Sequence, residues 1–99
     1  MQYIKTKSPY VTTSQEAGID LAMTTAYTWN KNIIDFSKVL QKLTETNLNE
    51  HWEVCTSFDN IPNFAFKYTS QYEQWMEYSG YGIGATHWHV YIWRNYIAG

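Results

Sequence analysis

Thr86-His-Trp-His-Val-Tyr-Ile-Trp-Arg-Asn-Tyr-Ile-Ala-Gly99, THWHVYIWRNYIAG, is the stretch on which the fold turns. Its residues are mostly aromatic or β-branched, types that favour extended backbone. Side chains alternate between faces along a strand. Trp88, Val90 and Ile92 therefore fall on one face, and His87, His89, Tyr91, Trp93 and Asn95 on the other. A strand from about Ala85 to Tyr96 with one apolar face must lie in a sheet that is covered on that side.

Working back along the chain, Ser79-Gly-Tyr-Gly-Ile-Gly84 reads as a turn, and Ser70–Tyr78 as a short helix with Tyr72, Trp75 and Met76 inward. Phe64, Phe66 and Tyr68 alternate as a strand, after a turn at Asp59-Asn-Ile-Pro62. Glu50–Phe58 alternates as well. Trp52, Val54, Thr56 and Phe58 face one way; His51, Glu53, Cys55 and Ser57 face the other.

Before that strand, Phe36, Val39, Leu40 and Leu43 have the i, i+3, i+4, i+7 spacing of one helix stripe. Asp35 or Asn32 is placed to cap it, and Thr44–Asn49 reads as a polar loop after it. Ile19, Ala22, Met23 and Ala26 mark an earlier helix, weakened by Gly18 and the Thr24-Thr25 pair. Thr13-Ser-Gln-Glu16 has the form of its capping box. Residues 3–12 read as a first strand that Pro9 confines to an edge or interrupts.

Both strong helices precede most of the strands, so no βαβ rhythm appears. The expected fold is α+β: a mostly antiparallel sheet of about four strands with two or three helices packed on one face. At 99 residues the chain is expected to form a single domain, 1–99.

Composition narrows the function classes. Charged residues are 16%, against about 25% in typical domains, and aromatics are 18%. Burial must therefore supply stability. With only nine carboxylates, few ionised bonds are lost on protonation, so the fold is expected to be acid-stable. A net charge of −2 without a basic stripe argues against duplex DNA. Lys31, Lys38 and Lys42 make at most a small basic patch, which reads as a solvated helix face. The N-terminus carries no secretory h-region, and no apolar run approaches membrane-spanning length, so no membrane association is expected. Cys55 is the lone cysteine, which fits a reducing compartment.

The candidate site is the His87/His89 pair. Residues i and i+2 of a strand project from one face, so both imidazoles can reach one metal ion. If Glu50–Phe58 pairs beside the last strand, His51 or Glu53 completes a three-ligand set with His87 and His89, leaving an open position for water. The competing reading is a half-wet sheet face with histidines bonded to water or neighbours. That reading is favoured, so no cofactor is expected, with a divalent metal such as Zn or Mn as the alternative. Gly80-Tyr-Gly82-Ile-Gly84-Ala85 fits G-x-G-x-x-A, but a helix leads in and a strand leads out, the reverse of a dinucleotide site.

Two resemblances attach to the histidines. His87-Trp-His89-Val-Tyr91-Ile-Trp resembles, over seven residues, the motif of the histidine-triad nucleotide hydrolases. That likeness implies a nucleophile role for His89, and Tyr91 stands where the third His belongs. Thr86-His-Trp-His-Val-Tyr-Ile also resembles the metal-binding strand of HUH endonucleases. That family implies a divalent metal and a tyrosine nucleophile. Tyr96 lies seven residues beyond His89, about 23 Å along an extended strand, and taking Tyr68 or Tyr72 instead departs from the family. The cupin pattern fails, because no glycine has its spacing and no acidic residue follows.

A third resemblance is one of general character. A short chain rich in Thr, Asn, Tyr and Trp and poor in charge is similar to the small orphan proteins of archaeal filamentous viruses from acidic hot springs. It implies a thermostable protein of host cytoplasm or virion. The leading expectation is thus a small soluble accessory or interaction protein, more a binder than an enzyme. Its partner is an unknown protein or a second copy held through the face bearing Tyr91 and Trp93. The rival is a metal-dependent phosphodiesterase or HUH-like nuclease on His87 and His89.

Overall fold

The structure is a computed structural model that describes residues 3–29, 33–57, 73–83 and 86–94. In chain order its elements are β1 (Tyr3–Lys7), α1 (Thr13–Trp29), α2 (Ile33–Leu48), β2 (Glu53–Ser57), β3 (Gln74–Ile83) and β4 (Thr86–Arg94). The four strands form one sheet in the order β1-β3-β4-β2, and every neighbouring pair is antiparallel. The α+β class and the single helix-bearing face are as the sequence predicts.

Register sorts the side chains. Lys5, Tyr78, Val90 and Thr56 form one rung, and Lys7, Met76, Ile92 and Val54 the next. These rungs face the helices. Ile19, Ala22, Met23 and Ala26 of α1 and Phe36 and Leu40 of α2 are fully buried against Trp52, Met76, Tyr78, Trp88 and Ile92. Each fully buried large apolar side chain is worth about 2–3 kcal/mol, against about 0–1 kcal/mol for an exposed ion pair. The core therefore carries the fold.

Gly18 looks like a defect of α1 in the sequence but serves the packing. A Cβ there would stand 2.4 Å from Leu48 Cδ2, so the missing side chain lets the two helices approach. Asn47 Nδ2 donates to the Gly18 carbonyl at 3.1 Å at the same crossing.

Several local readings are corrected. The first strand stops at Lys7, not at residue 12. Pro9 follows at once, and Ser8–Val11 makes a turn in which the Val11 amide donates to the Ser8 carbonyl and Val11 folds into the core. The helix α2 does not fray at Thr44. It runs to Leu48, Thr44 is fully buried, and Asn49 closes it at φ 54° with its amide on the Glu45 carbonyl. Asp35 lies inside α2 and is no cap; Asn32 lies outside the described residues.

The largest correction is β3. Residues 74–78 are strand, not helix, and Ser79–Ile83 continue that strand instead of breaking it, with an irregularity between Tyr81 and Ile83. Burial alternates from Glu73 to Gly80, with Gln74, Met76, Tyr78 and Gly80 inward. The turn at Asp59–Pro62 and the strand at Phe64–Tyr68 lie outside the described residues, as do Ser70–Tyr72 of the segment read as a helix.

The cap of α1 sits one residue earlier than the sequence pattern suggests. Thr12 Oγ1 accepts from the Gln15 amide at 3.1 Å, and Gln15 Oε1 accepts from the Thr12 amide at 2.9 Å. That is a reciprocal capping box on Thr12 and Gln15. Glu16 is diverted to Lys5 and Lys7. Thr12→Ala is expected to cost about 1 kcal/mol, a fall of roughly 4–8 °C in Tm for a domain of this size. Thr13→Ala should change Tm little. Thermal melts of the two variants side by side test the assignment, and equal losses would refute it.

Candidate functional site on the far sheet face

The face away from the helices carries three rungs of interest. Ile4, Ser79, His89 and Ser57 share one; Thr6, Glu77, Tyr91 and Cys55 share the next; Trp75, Trp93 and Glu53 share the third. His87 pairs with Tyr81 beyond the first. Among the described residues no Lys or Arg stands on this face. Lys5, Lys7 and Arg94 all fall on the helix side.

His89 is buried, at 4% exposure, and its Nδ1 lies 2.8 Å from Ser79 Oγ. His87 and His89 stack obliquely, with ring centroids 4.8 Å apart at 41°. The pair is therefore real and close. The third ligand is not where the sequence suggests. Strands β2 and β4 are neighbours, and Glu53 does share the face with the histidines. But Ser57, not Glu53, pairs with His89, and Glu53 pairs with Trp93. Four residues of strand, about 13 Å, separate the two positions.

His51 departs further. It precedes β2, its side chain is 70% exposed, and it is held by Glu45 of α2 and by Glu53. The set His87, His89, His51 and Glu53 thus does not converge. Among the described residues no group of three or more His, Cys, Asp or Glu side chains is placed to hold a metal ion.

Burial of His89 also bears on catalysis. A nucleophile or general base must come within hydrogen-bond reach of its substrate, and the His89 imidazole is 4% exposed. The tyrosines that the HUH likeness calls on, Tyr68, Tyr72 and Tyr96, lie outside the described residues. Of the G-x-G-x-x-A segment, Gly80–Ile83 is β-strand, not a loop before a helix.

The aromatic expectation is corrected in detail. Tyr91 is only 2% exposed, so it is no surface anchor. It stacks on Trp75 with centroids 5.9 Å apart at 25°, and lies 5.6 Å from Trp93 at 31°. Trp75 and Trp93 are register partners and both are half-buried. Trp75 went unrecognised because the helical reading turned it inward. The signal was present: Trp75, Glu77 and Ser79 alternate with Gln74, Met76 and Tyr78.

Cys55 pairs with the buried Tyr91 in register and is half-buried itself. Burial pushes its thiol above the usual cysteine range. The thiolate is the reactive form, so iodoacetamide should alkylate Cys55 at pH 8 more slowly than a free peptide thiol. The difference should vanish in denaturant. Fast modification of the native protein, followed by intact-mass measurement, would contradict this placement.

No protein-family model, no curated protein and no solved structure matches the chain.

Proposed function

We propose that this chain is a small accessory protein that acts by binding protein, with no chemistry of its own, through the Trp75/Trp93 end of the far sheet face. The observation that supports this reading is the aromatic pair itself. Two tryptophans remain half-buried, side by side on one rung, with a buried tyrosine stacked behind them. Large, rigid, partly exposed aromatics over a fixed support are the side chains that anchor protein interfaces. The charge pattern supports protein over polyanion. The described far face carries Glu53 and Glu77 but no Lys or Arg to neutralise phosphate.

The first partner to test is a second copy, since an isologous contact needs only a self-complementary patch. Tyr91 contributes as support and not as contact. By its compositional likeness we take the setting to be the cell or virion of an acidophilic archaeal virus.

Sedimentation equilibrium at rising concentration reads the association directly. The wild type is expected to dimerise. Trp75→Ala and Trp93→Ala should each weaken the dimer by about 30-fold or more, as aromatic hot spots do. Leu21→Ala, at an exposed position of α1 on the other side, should leave it unchanged. A wild type that stays monomeric at millimolar concentration would overturn the self-association. So would a dimer indifferent to both tryptophans.

A further inference from the structure

Where α2 ends and β2 begins, one side chain touches both elements. His51 Nδ1 lies 2.5 Å from Glu45 Oε2, near the end of α2, and His51 Nε2 lies 2.5 Å from Glu53 Oε1, the first residue of β2. A neutral imidazole has one donor and one acceptor nitrogen; only the imidazolium donates from both. Two carboxylates at hydrogen-bond distance from the two nitrogens can be satisfied together only by the charged ring. In the neutral ring, one nitrogen would turn its lone pair to a carboxylate. We propose that Glu45, His51 and Glu53 form a proton-operated latch, which fastens the entry of edge strand β2 to the end of α2 when His51 is protonated.

The surrounding charges act in the same sense. Glu50 joins Glu45, Asn49 and His51 around an open hollow of about 340 Å³. Its Oε2 accepts from Arg94 at 3.1 Å, and its Oε1 accepts from Trp52 Nε1 at 3.3 Å and from Gln15. Arg94 of β4 thus serves Glu50. Lys42 stands three residues before Glu45 on α2, and among the described residues no ion pair joins it to Glu45 or Glu53. Trp93, the register partner of Glu53, is uncharged.

The hydrogen bond to Glu53 raises the His51 pKa above its ordinary 6.5, desolvation opposes it, and the Glu53 and Glu45 charges add to the rise. A raised histidine pKa contributes stability that is fully present below the unfolded value near 6.5. It is lost as pH rises through the folded value. The latch therefore closes in mild acid and opens towards alkaline pH.

Its reach is local. Glu45 Oε2 also accepts the Trp52 amide at 3.2 Å, and the Trp52 side chain is fully buried in the core. Opening the latch leaves the core in place but frees Glu45 to move away from that amide. The ring is mostly solvent-exposed, so screening keeps the effect small.

Two measurements test the proposal on the full chain. The first is an NMR titration of the His51 ring. Its midpoint should lie above 6.5, and Glu45→Gln and Glu53→Gln should each lower it. Both amides keep an oxygen acceptor while removing the charge. The second is hydrogen exchange of the Trp52 amide, corrected for the intrinsic rate. Its protection should fall roughly two- to fivefold across the His51 midpoint, the size of one exposed charged pair. In His51→Gln that step should be absent. A wild-type midpoint at or below 6.5 would overturn the latch. So would a midpoint unmoved by either substitution, or Trp52 protection that ignores the titration.

Discussion

The rest of the structure depends on two buried amides satisfying each other. Gln15 of α1 and Gln74 of β3 are each only 7% exposed. Gln74 Nε2 donates to Gln15 Oε1 at 2.9 Å, and Gln15 Nε2 returns a longer bond to Gln74 Oε1 at 3.3 Å. Gln74 also donates to the Tyr10 carbonyl at 2.9 Å, and Gln15 donates to Glu50, which in turn holds Arg94 and the Trp52 indole. One polar knot therefore ties the start of α1, the turn after β1, the start of β3, the end of β4 and the approach to β2. A one-residue slip of β3 would turn Gln74 to the other face. It would leave buried amides unsatisfied, at about 1–3 kcal/mol each. The same slip would turn Met76 and Tyr78 out of the core. The amide pair thus adds a polar requirement to the register that apolar burial already favours.

Scarce charge is concentrated at the joints of the fold. Lys5 on edge strand β1 points to the helix side and reaches Asp20 and Glu16 of α1, both at 2.8 Å. Burial pulls the Lys5 pKa down, but the hydrogen bonds to Asp20 and Glu16 outweigh it and hold it above the usual lysine range. The bonds from Lys5 and Lys7 hold Glu16 below the usual carboxylate range. The Tyr78 hydroxyl donates to Asp20 at 2.6 Å from the core side. Inward-pointing charge on an edge strand also discourages edge-to-edge pairing. Among the described residues, Glu16, Asp20, Glu45, Glu50 and Glu53 are each engaged in ion pairs or hydrogen bonds. A low carboxylate count understates what acid can remove. The depressed Glu16 pKa contributes stability present above its unfolded value, which is lost as pH falls through its folded one. Acid survival rests on the aromatic core outweighing these joints.

What the sequence made legible follows from how far each signal reaches. The stripes of α1 and α2 and the alternation of β2 and β4 are local and uninterrupted, and they read correctly. Strand β3 did not, for a specific reason. A glutamine occupies a core position of its alternation, while Tyr72, Trp75 and Met76 happen to fall at helical spacing. Only the partner across the core, Gln15, explains why a polar residue belongs there, and that partner is 59 positions away. The candidate site divides the same way. Which face His87, His89 and Glu53 share is set by period two and was readable. Their distance along the sheet is set by register, which the polar knot and core packing determine, and it was not. His51 missed its expected place because Glu45, on another element, holds it.

Register also links the latch to the aromatic surface. Trp75, Trp93 and Glu53 form one rung, so the carboxylate that grips His51 stands beside the tryptophan pair. With the latch closed, the imidazolium neutralises Glu53 at the rim of that surface. With it open, a bare carboxylate borders Trp93, and covering the rung with a partner means desolvating an uncompensated charge, which costs several kcal/mol when burial is complete and far less at a wet rim. Association through the tryptophans should therefore be tighter below the His51 midpoint than above it. Glu53→Gln, which removes the charge, should abolish the difference. A dimer dissociation constant that does not change through that midpoint would separate the two devices. Each would then rest on its own geometry: the aromatic pair on the rung, and the imidazole between its two carboxylates.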